Sequence, residues 1–243
     1  MAKTGQEQTK AKRSAQEERR LAAQQRDRKQ RMMRIAAGAL AIVVVGGVLW
    51  WVAQREASVG DVVTEAAMIS APIAGRVAGD PAGTVTVVEW GDYQCPSCAL
   101  FAEEATPMLI EQYVNTGLIT LEYRDLAFLG TESTRAAEAA WCAQDQDRFW
   151  DFHKTIFANH DGENAGALSD GRLKAMAEVL ELDTDQFNAC FGNRVHEDNV
   201  RDAYDEGSAA GITSTPTLVI NGEIVGYAGN EDLQARLDAL LGA

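Results

Sequence analysis

The chain has 243 residues, 46% of them hydrophobic, enough for one sizeable folded domain with segments to spare. Its net charge of −14 conceals two opposite parts: 11 of the 22 basic residues but only 4 of the 36 acids lie at or before Arg34, leaving 11 basic against 32 acidic residues beyond it. A remainder this acidic excludes nucleic acid as its partner, and the asymmetry argues against a single domain of mixed charge.

Residues 1–34, rich in Gln, Arg, Lys and Ala, read as a solvated basic tail. Such a composition also suits nucleic acid or anionic lipid, but the segment that follows makes it a topology signal. Residues 35–53 (IAAGALAIVVVGGVLWWVA) carry no charge and no strong hydrogen-bonding side chain apart from the terminal indoles. As a helix they would span about 28 Å, close to the roughly 30 Å hydrocarbon core of a bilayer. A buried core helix rarely runs this long without a polar face. Trp50 and Trp51 stand at one end, where indoles favour the headgroup region, and Arg31 and Arg34 at the other. Positive charge stays inside, so the expected topology is a single-pass cell-membrane protein with a cytoplasmic N-terminus and an extracytoplasmic remainder. Bulky Trp51 and charged Arg55 spoil cleavage sites ending at Ala53 or Ala57, which favours an uncleaved signal anchor.

Residues 54–79 read as a linker with some local structure, and Gly79-Asp80-Pro81 as the turn opening a domain over 80–243. Thr84–Trp90 (TVTVVEW) is a buried strand, followed by Gly91-Asp92-Tyr93-Gln94. Pro96–Tyr113 has a helical pattern with Leu100, Phe101, Met108, Leu109 and Tyr113 on its apolar side, and Leu118–Tyr123 alternates as a second strand. Helices are expected over Ser133–Phe157, Asp170–Leu180, Thr184–Phe191 and Val195–Ala210, with a loop at Asp161–Gly166. Thr217–Ile220 and Glu223–Tyr227 flank Asn221-Gly222, among the strongest hairpin signals. Asn230 is expected to cap a last helix with Leu233, Leu240 and Leu241 on its apolar side. The order is strand, helix, strand, several helices, hairpin, helix.

The chemistry lies in Cys95-Pro96-Ser97-Cys98. Two cysteines three apart sit one helical turn apart, and Pro96 suits the first helical position. Free N–H groups and the helix dipole there favour a thiolate at Cys95. The dipole supplies at most about 2 kcal/mol, roughly one pKa unit, so any larger depression needs further hydrogen bonds. Ser97 offers one hydroxyl but no positive charge. A CxxC is equally half of a zinc site, which needs two more ligands. Cys142 and Cys190 are distant and form no second CxxC, and His153, His160 and His196 show no cluster, so no metal is expected.

VVEWGDYQCPSC resembles the active-site strand and helix start of the DsbA-like branch of the thioredoxin superfamily, in its membrane-anchored actinobacterial type. The resemblance continues in AAWCAQDQDRFWDFHKTIF and GITSTPTLVINGEIVGY and covers roughly residues 80–242. It implies an α/β thioredoxin-like fold with a helical insertion at about 130–210. Cys95 then matches the exposed attacking cysteine and Cys98 its buried partner. Pro216, after Thr215, matches the cis-proline of the loop that pairs with substrate backbone. Glu89 matches a buried acid that relays a proton, its alternative being a strand-end residue reaching solvent. Pro-Ser between the cysteines and Thr before the proline depart from the strongest oxidants. The expected Cys95 pKa is therefore below that of a free thiol but above the most acidic members. Similar actinobacterial proteins carry a second, structural disulfide, which would join Cys142 to Cys190; two free thiols or a second redox pair are the alternatives.

The resemblance implies a thiol–disulfide oxidoreductase that oxidises reduced exported polypeptides without a bound cofactor. It also implies reoxidation by a quinone-linked membrane partner of the DsbB or VKOR type. The same chemistry run backwards would make a reductase or isomerase, although the linker is too short for a dimerisation domain. A membrane-anchored binding module with a merely structural CxxC is the alternative of another class.

Overall fold

The computed structural model describes residues 32–33, 37–38, 40, 42–48, 60–64 and 68–242. The chain divides into two compact units, Met1–Ser58 and Val59–Ala243. In the first, the described residues are helical, and Leu40, Ile42, Val43, Val44, Val45 and Val48 are each more than half exposed. No helix among the described residues is long and apolar enough to cross a membrane. The expected basic tail and much of the expected span lie outside the described residues.

The second unit is built on one six-stranded sheet: β1 (Ile73–Ala74), β2 (Val77–Ala78), β3 (Val85–Gly91), β4 (Ile119–Asp125), β5 (Thr217–Ile220) and β6 (Glu223–Val225), in the order β1-β2-β4-β3-β5-β6. β3 and β4 run parallel, joined by helix α1 (Pro96–Leu109), while β5 lies antiparallel on the other side of β3. Between β4 and β5 the chain inserts α2 (Thr131–Gln144), α3 (Phe149–Ala158), α4 (Asp170–Val179), α5 (Thr184–Gly192) and α6 (Glu197–Ala209); α7 (Asn230–Leu241) closes it. This is the expected thioredoxin-like arrangement with a helical insertion.

Local chemistry explains each element. β3 and β4 are β-branched and place Val85, Val87, Ile119, Leu121 and Tyr123 in the core. Asn221 (φ 50°) and Gly222 (φ 83°) supply the two left-handed residues of a two-residue hairpin turn between β5 and β6.

Several expectations shift. The sheet begins before Asp80, because the β1–β2 hairpin, in the segment read as linker, pairs antiparallel with β4. Two-residue strands are too short to show alternation. The single helix expected over Ser133–Phe157 is two, broken where Asp147 takes φ 58°. The helix expected over Pro96–Tyr113 becomes a π-turn at Ile110–Val114, just after Pro107, which has no N–H to continue the ladder. Leu100 is half exposed rather than on the core side. In α7 the buried leucines are Leu233 and Leu237; Leu240 shares their side, two turns beyond Leu233, but is half exposed in the helix's last turn. Asn230 is the first helical residue rather than the cap, which is Gly229. Its side chain accepts from the Tyr227 hydroxyl at 2.7 Å and donates to the Glu104 carbonyl at 3.2 Å.

Candidate active site

β3 delivers the site. At its end Asp92 is fully buried and ties down the turn: Oδ1 accepts from Gln94 N (2.8 Å) and Ser133 Oγ (2.6 Å), and Oδ2 from Phe128 N (2.8 Å) and Leu129 N (3.0 Å). Gly91 leaves room for Tyr123; a Cβ there would lie 2.7 Å from its ring. Gln94 donates to Ser133 Oγ at 2.8 Å and accepts from Asn164 N, and its carbonyl lies 2.9 Å from His160 Nε2. The insertion thus holds the turn from outside, leaving Cys95 as the N-cap of α1 with Pro96 and Ser97 exposed.

Cys95 and Cys98 are free thiols, 8% and 0% exposed. Cys95 Sγ lies 3.4 Å from the carbonyl of Thr215, whose peptide bond to Pro216 is cis. The structure thus gathers the CxxC and the Thr215-Pro216 loop at one place.

The two thiols are driven apart electrostatically. The Cys95 thiol is held at about 5 against an ordinary 9.0. A hydrogen bond from the Cys98 side chain contributes most, and the Thr215 side chain and the backbone N–H groups of Cys98 and Ser97 add to it against the opposing effect of burial. Cys98 is pushed far up, first by burial, then by its hydrogen bond to Cys95 and the Glu89 charge. The Glu89 carboxyl is pushed to about 8, by burial and then by negative charge at Cys95. It is 2% exposed with Oε1 unpartnered, so it does not reach solvent as a strand-end residue would.

Three histidines that read as ordinary in the sequence have partners. His153 is buried with Nδ1 3.1 Å from the Tyr93 hydroxyl; burial, then nearby Arg76, pull it to about 3, so it is neutral. His160 holds the turn before Cys95. His196 lies beside Cys142 and Cys190, which are joined by a disulfide at a Cα separation of 5.8 Å. The contacts of His153 with Tyr93, of His160 with Gln94 and of His196 Nε2 with Asp145 span 51 to 66 residues of sequence, beyond the reach of spacing. Arg76, in the β1–β2 turn, makes a buried 2.7 Å ion pair with Asp125 and stacks on Trp141 and Phe149. Beside the site, a cleft of about 780 Å³ runs between α1 and α3, lined by Pro96, Ala99, Leu100, Trp150, His153 and Phe157 among others.

The thioredoxin family model matches residues 72–239. Disulfide bond formation protein D of Bacillus subtilis (strain 168) is 31% identical over 160 residues, covering 61% of this chain and 68% of that protein. Na(+)/H(+) antiporter NhaA 1 of Salinispora arenicola is 33% identical over 147 residues, but the chain covers only 22% of it. Oxidised BdbD from Bacillus subtilis superposes with a TM-score of 0.65 at 24% identity, covering 76% of this chain and all of that one, a likeness of fold. On the family-model match over residues 72–239 and the likeness to disulfide bond formation protein D, the chain belongs to the thioredoxin family as a DsbA-like thiol–disulfide oxidoreductase.

Proposed function

We propose that the chain is a membrane-anchored oxidase that forms disulfides in exported polypeptides through Cys95 and Cys98. The observation that carries this direction is the acidic Cys95 thiol: a stabilised thiolate favours the reduced enzyme and makes its disulfide oxidising. The relative that forms disulfide bonds by name supports the same direction.

The cycle starts from the Cys95–Cys98 disulfide. A substrate thiolate attacks Cys95 Sγ; the Cys95–Cys98 bond breaks, and Cys98 leaves with the electron pair and takes a proton, with Glu89 as its donor. A second substrate thiolate then attacks the substrate sulfur of the mixed disulfide, expelling Cys95 as thiolate. The substrate dithiol has become a disulfide, and the enzyme holds the two electrons. The Thr215-Pro216 loop pairs with the extended client backbone as an added strand. A quinone-linked membrane partner of the DsbB or VKOR type takes the electrons onward. The basic tail 1–34, the apolar span 35–53 and the linker 54–79 support delivery of the domain over 80–243 to an oxidising compartment, where the Cys142–Cys190 bond serves a structural role.

The test is the equilibrium of the Cys95–Cys98 couple against glutathione. A potential near −120 mV supports the oxidase, and one near about −270 mV refutes it in favour of a reductant. Loss of client oxidation in Cys95→Ser excludes a non-catalytic binding module, and unchanged activity would establish one.

A further inference from the structure

The Cys142–Cys190 disulfide does not stand alone. Cys142 belongs to α2 and Cys190 to α5. Asp145 caps the C-terminus of α2 and His196 the N-terminus of α6. Both sulfurs and a ring nitrogen of His196 lie within 4.8 Å of one another. His196 Nε2 is 2.8 Å from Asp145 Oδ2, which is itself 3.7 Å from Cys190 Sγ. Four donors from three elements therefore converge: two sulfurs, an imidazole nitrogen and a carboxylate oxygen.

The surroundings suit a ligand role for His196. Nδ1 lies 3.1 Å from Asn199 Oδ1, an acceptor for an Nδ1 proton once Nε2, which faces Asp145 and the cluster, takes a metal. The ring stacks on Trp141 at 5.5 Å, which fixes its plane. Cys142 is buried, whereas the Asp145 side chain is 39% exposed and gives an approach from solvent.

We propose that reduction of the Cys142–Cys190 disulfide turns this cluster into a tetrahedral zinc site with Cys142, Cys190, His196 and Asp145 as ligands. Zn–S bonds of about 2.3 Å and Zn–N and Zn–O bonds of about 2.0 Å put the ligand atoms of a tetrahedron roughly 3.3–3.8 Å apart. Asp145 Oδ2 and Cys190 Sγ, 3.7 Å apart, already have that spacing; the 2.8 Å pair of His196 Nε2 and Asp145 Oδ2 must open by about half an ångström, and the two bonded sulfurs must separate. The chemistry balances. A dithiol or phosphine reductant supplies two electrons, two protons complete the thiols, and Zn²⁺ displaces both protons on binding the thiolates. Two soft thiolates, one imidazole and one carboxylate in four-coordinate geometry select zinc over magnesium or calcium. The metal then holds α2 to α5 as the disulfide did, and holds the start of α6 as well.

The experiment uses the full chain with Cys95→Ser and Cys98→Ser, so that only the two thiols in question remain. After phosphine reduction and anaerobic desalting, Co²⁺ is titrated and then displaced with Zn²⁺. One equivalent of Co²⁺ should give thiolate-to-metal charge transfer and the visible bands of a tetrahedral ion, absent in the oxidised protein. His196→Ala should weaken Zn²⁺ binding by at least about 100-fold and Asn199→Ala by about 10-fold. Asp145→Asn, on the exposed side, repeats the test without disturbing the Trp141 stack. Equal unfolding midpoints of the oxidised variants establish that each folds. The proposal is overturned if charge transfer is absent, if His196→Ala and Asp145→Asn both bind like the parent (a bare dithiol in an opened chain), or if circular dichroism shows that the reduced chain unfolds and zinc does not restore it.

Discussion

Replacing Thr215 with Val removes one hydroxyl beside the reactive thiol and leaves the side chain's shape almost unchanged. Thr215 Oγ1 is buried and makes no hydrogen bond while the Cys95 thiol lies against the Thr215 carbonyl, so its hydroxyl is free to donate to a Cys95 thiolate and help hold Cys95 at about 5. A hydrogen bond to a charged group is worth about 1.5–3 kcal/mol, so its loss should raise the Cys95 pKa by about 1–2 units, to about 6–7. A depressed thiol pKa stabilises the folded reduced protein; the contribution is complete above the ordinary 9.0 and is lost as pH falls through about 5. At pH 7 that leaves about 2.7 kcal/mol in the parent and about 0.4–1.4 kcal/mol in the variant. The difference should make the variant couple about 30–50 mV more reducing. Thiolate absorbance in the ultraviolet, titrated on reduced protein against the oxidised blank, reads the pKa, and glutathione equilibration reads the potential. An unchanged titration in Thr215→Val, or a parent value of about 8 or more, would refute the assignment of this donor or of the acidic thiol itself.

Glu89 is costly to bury: its penalty is absent below pH 4.5, grows as pH rises towards about 8, and is constant above. Glu89→Gln should therefore stabilise the reduced protein by about 3 kcal/mol at pH 7 and by almost nothing near pH 4 in urea unfolding, while slowing disulfide exchange. Arg76→Met leaves the buried Asp125 carboxylate uncompensated and should cost about 3–5 kcal/mol; Arg76→Met with Asp125→Leu should recover most of it, as read by denaturant midpoints. Replacing both Cys142 and Cys190 with Ala opens a loop whose ends are 48 residues apart in sequence. The chain-entropy account gives about 4 kcal/mol, a fall of about 8–16 °C in Tm by calorimetry.

What the sequence reveals here is what is local. Strand β3, the hairpin at Asn221-Gly222 and the cysteine pair one turn apart are each written in adjacent residues, and each is found within a residue or two of its expected place. What it hides depends on contacts between distant segments. Asp92 appears in the chain only as one residue of a connecting turn, yet three of its four hydrogen bonds join that turn to residues 128–133. His160 and Asn164, in a loop without periodicity, hold Gln94 from the far side of the insertion. The break between α2 and α3 falls in a polar run with no Gly or Pro, so nothing local announces the left-handed Asp147. Glu89 alone looks like any acid in a strand; its burial follows only because β4 and β5 flank β3 on both sides.

The order of three affinities for a proton gives the proposed cycle its direction. Cys95 lies lowest, Glu89 between, and Cys98 far above. When a client thiolate opens the enzyme disulfide, Cys98 departs as the poorest of leaving groups, because burial disfavours its charge. Glu89 is still protonated at pH 7, and transfer from it to Cys98 runs downhill. Once protonated, Cys98 no longer attacks the mixed disulfide, so the client is not simply expelled. The client's second thiolate then has time to attack, and the group it displaces is Cys95, the better leaving group of the enzyme pair. An acidic Cys95 alone would explain an oxidising potential. The basic Cys98 beside a protonated Glu89 explains why the intermediate proceeds to product instead of collapsing back.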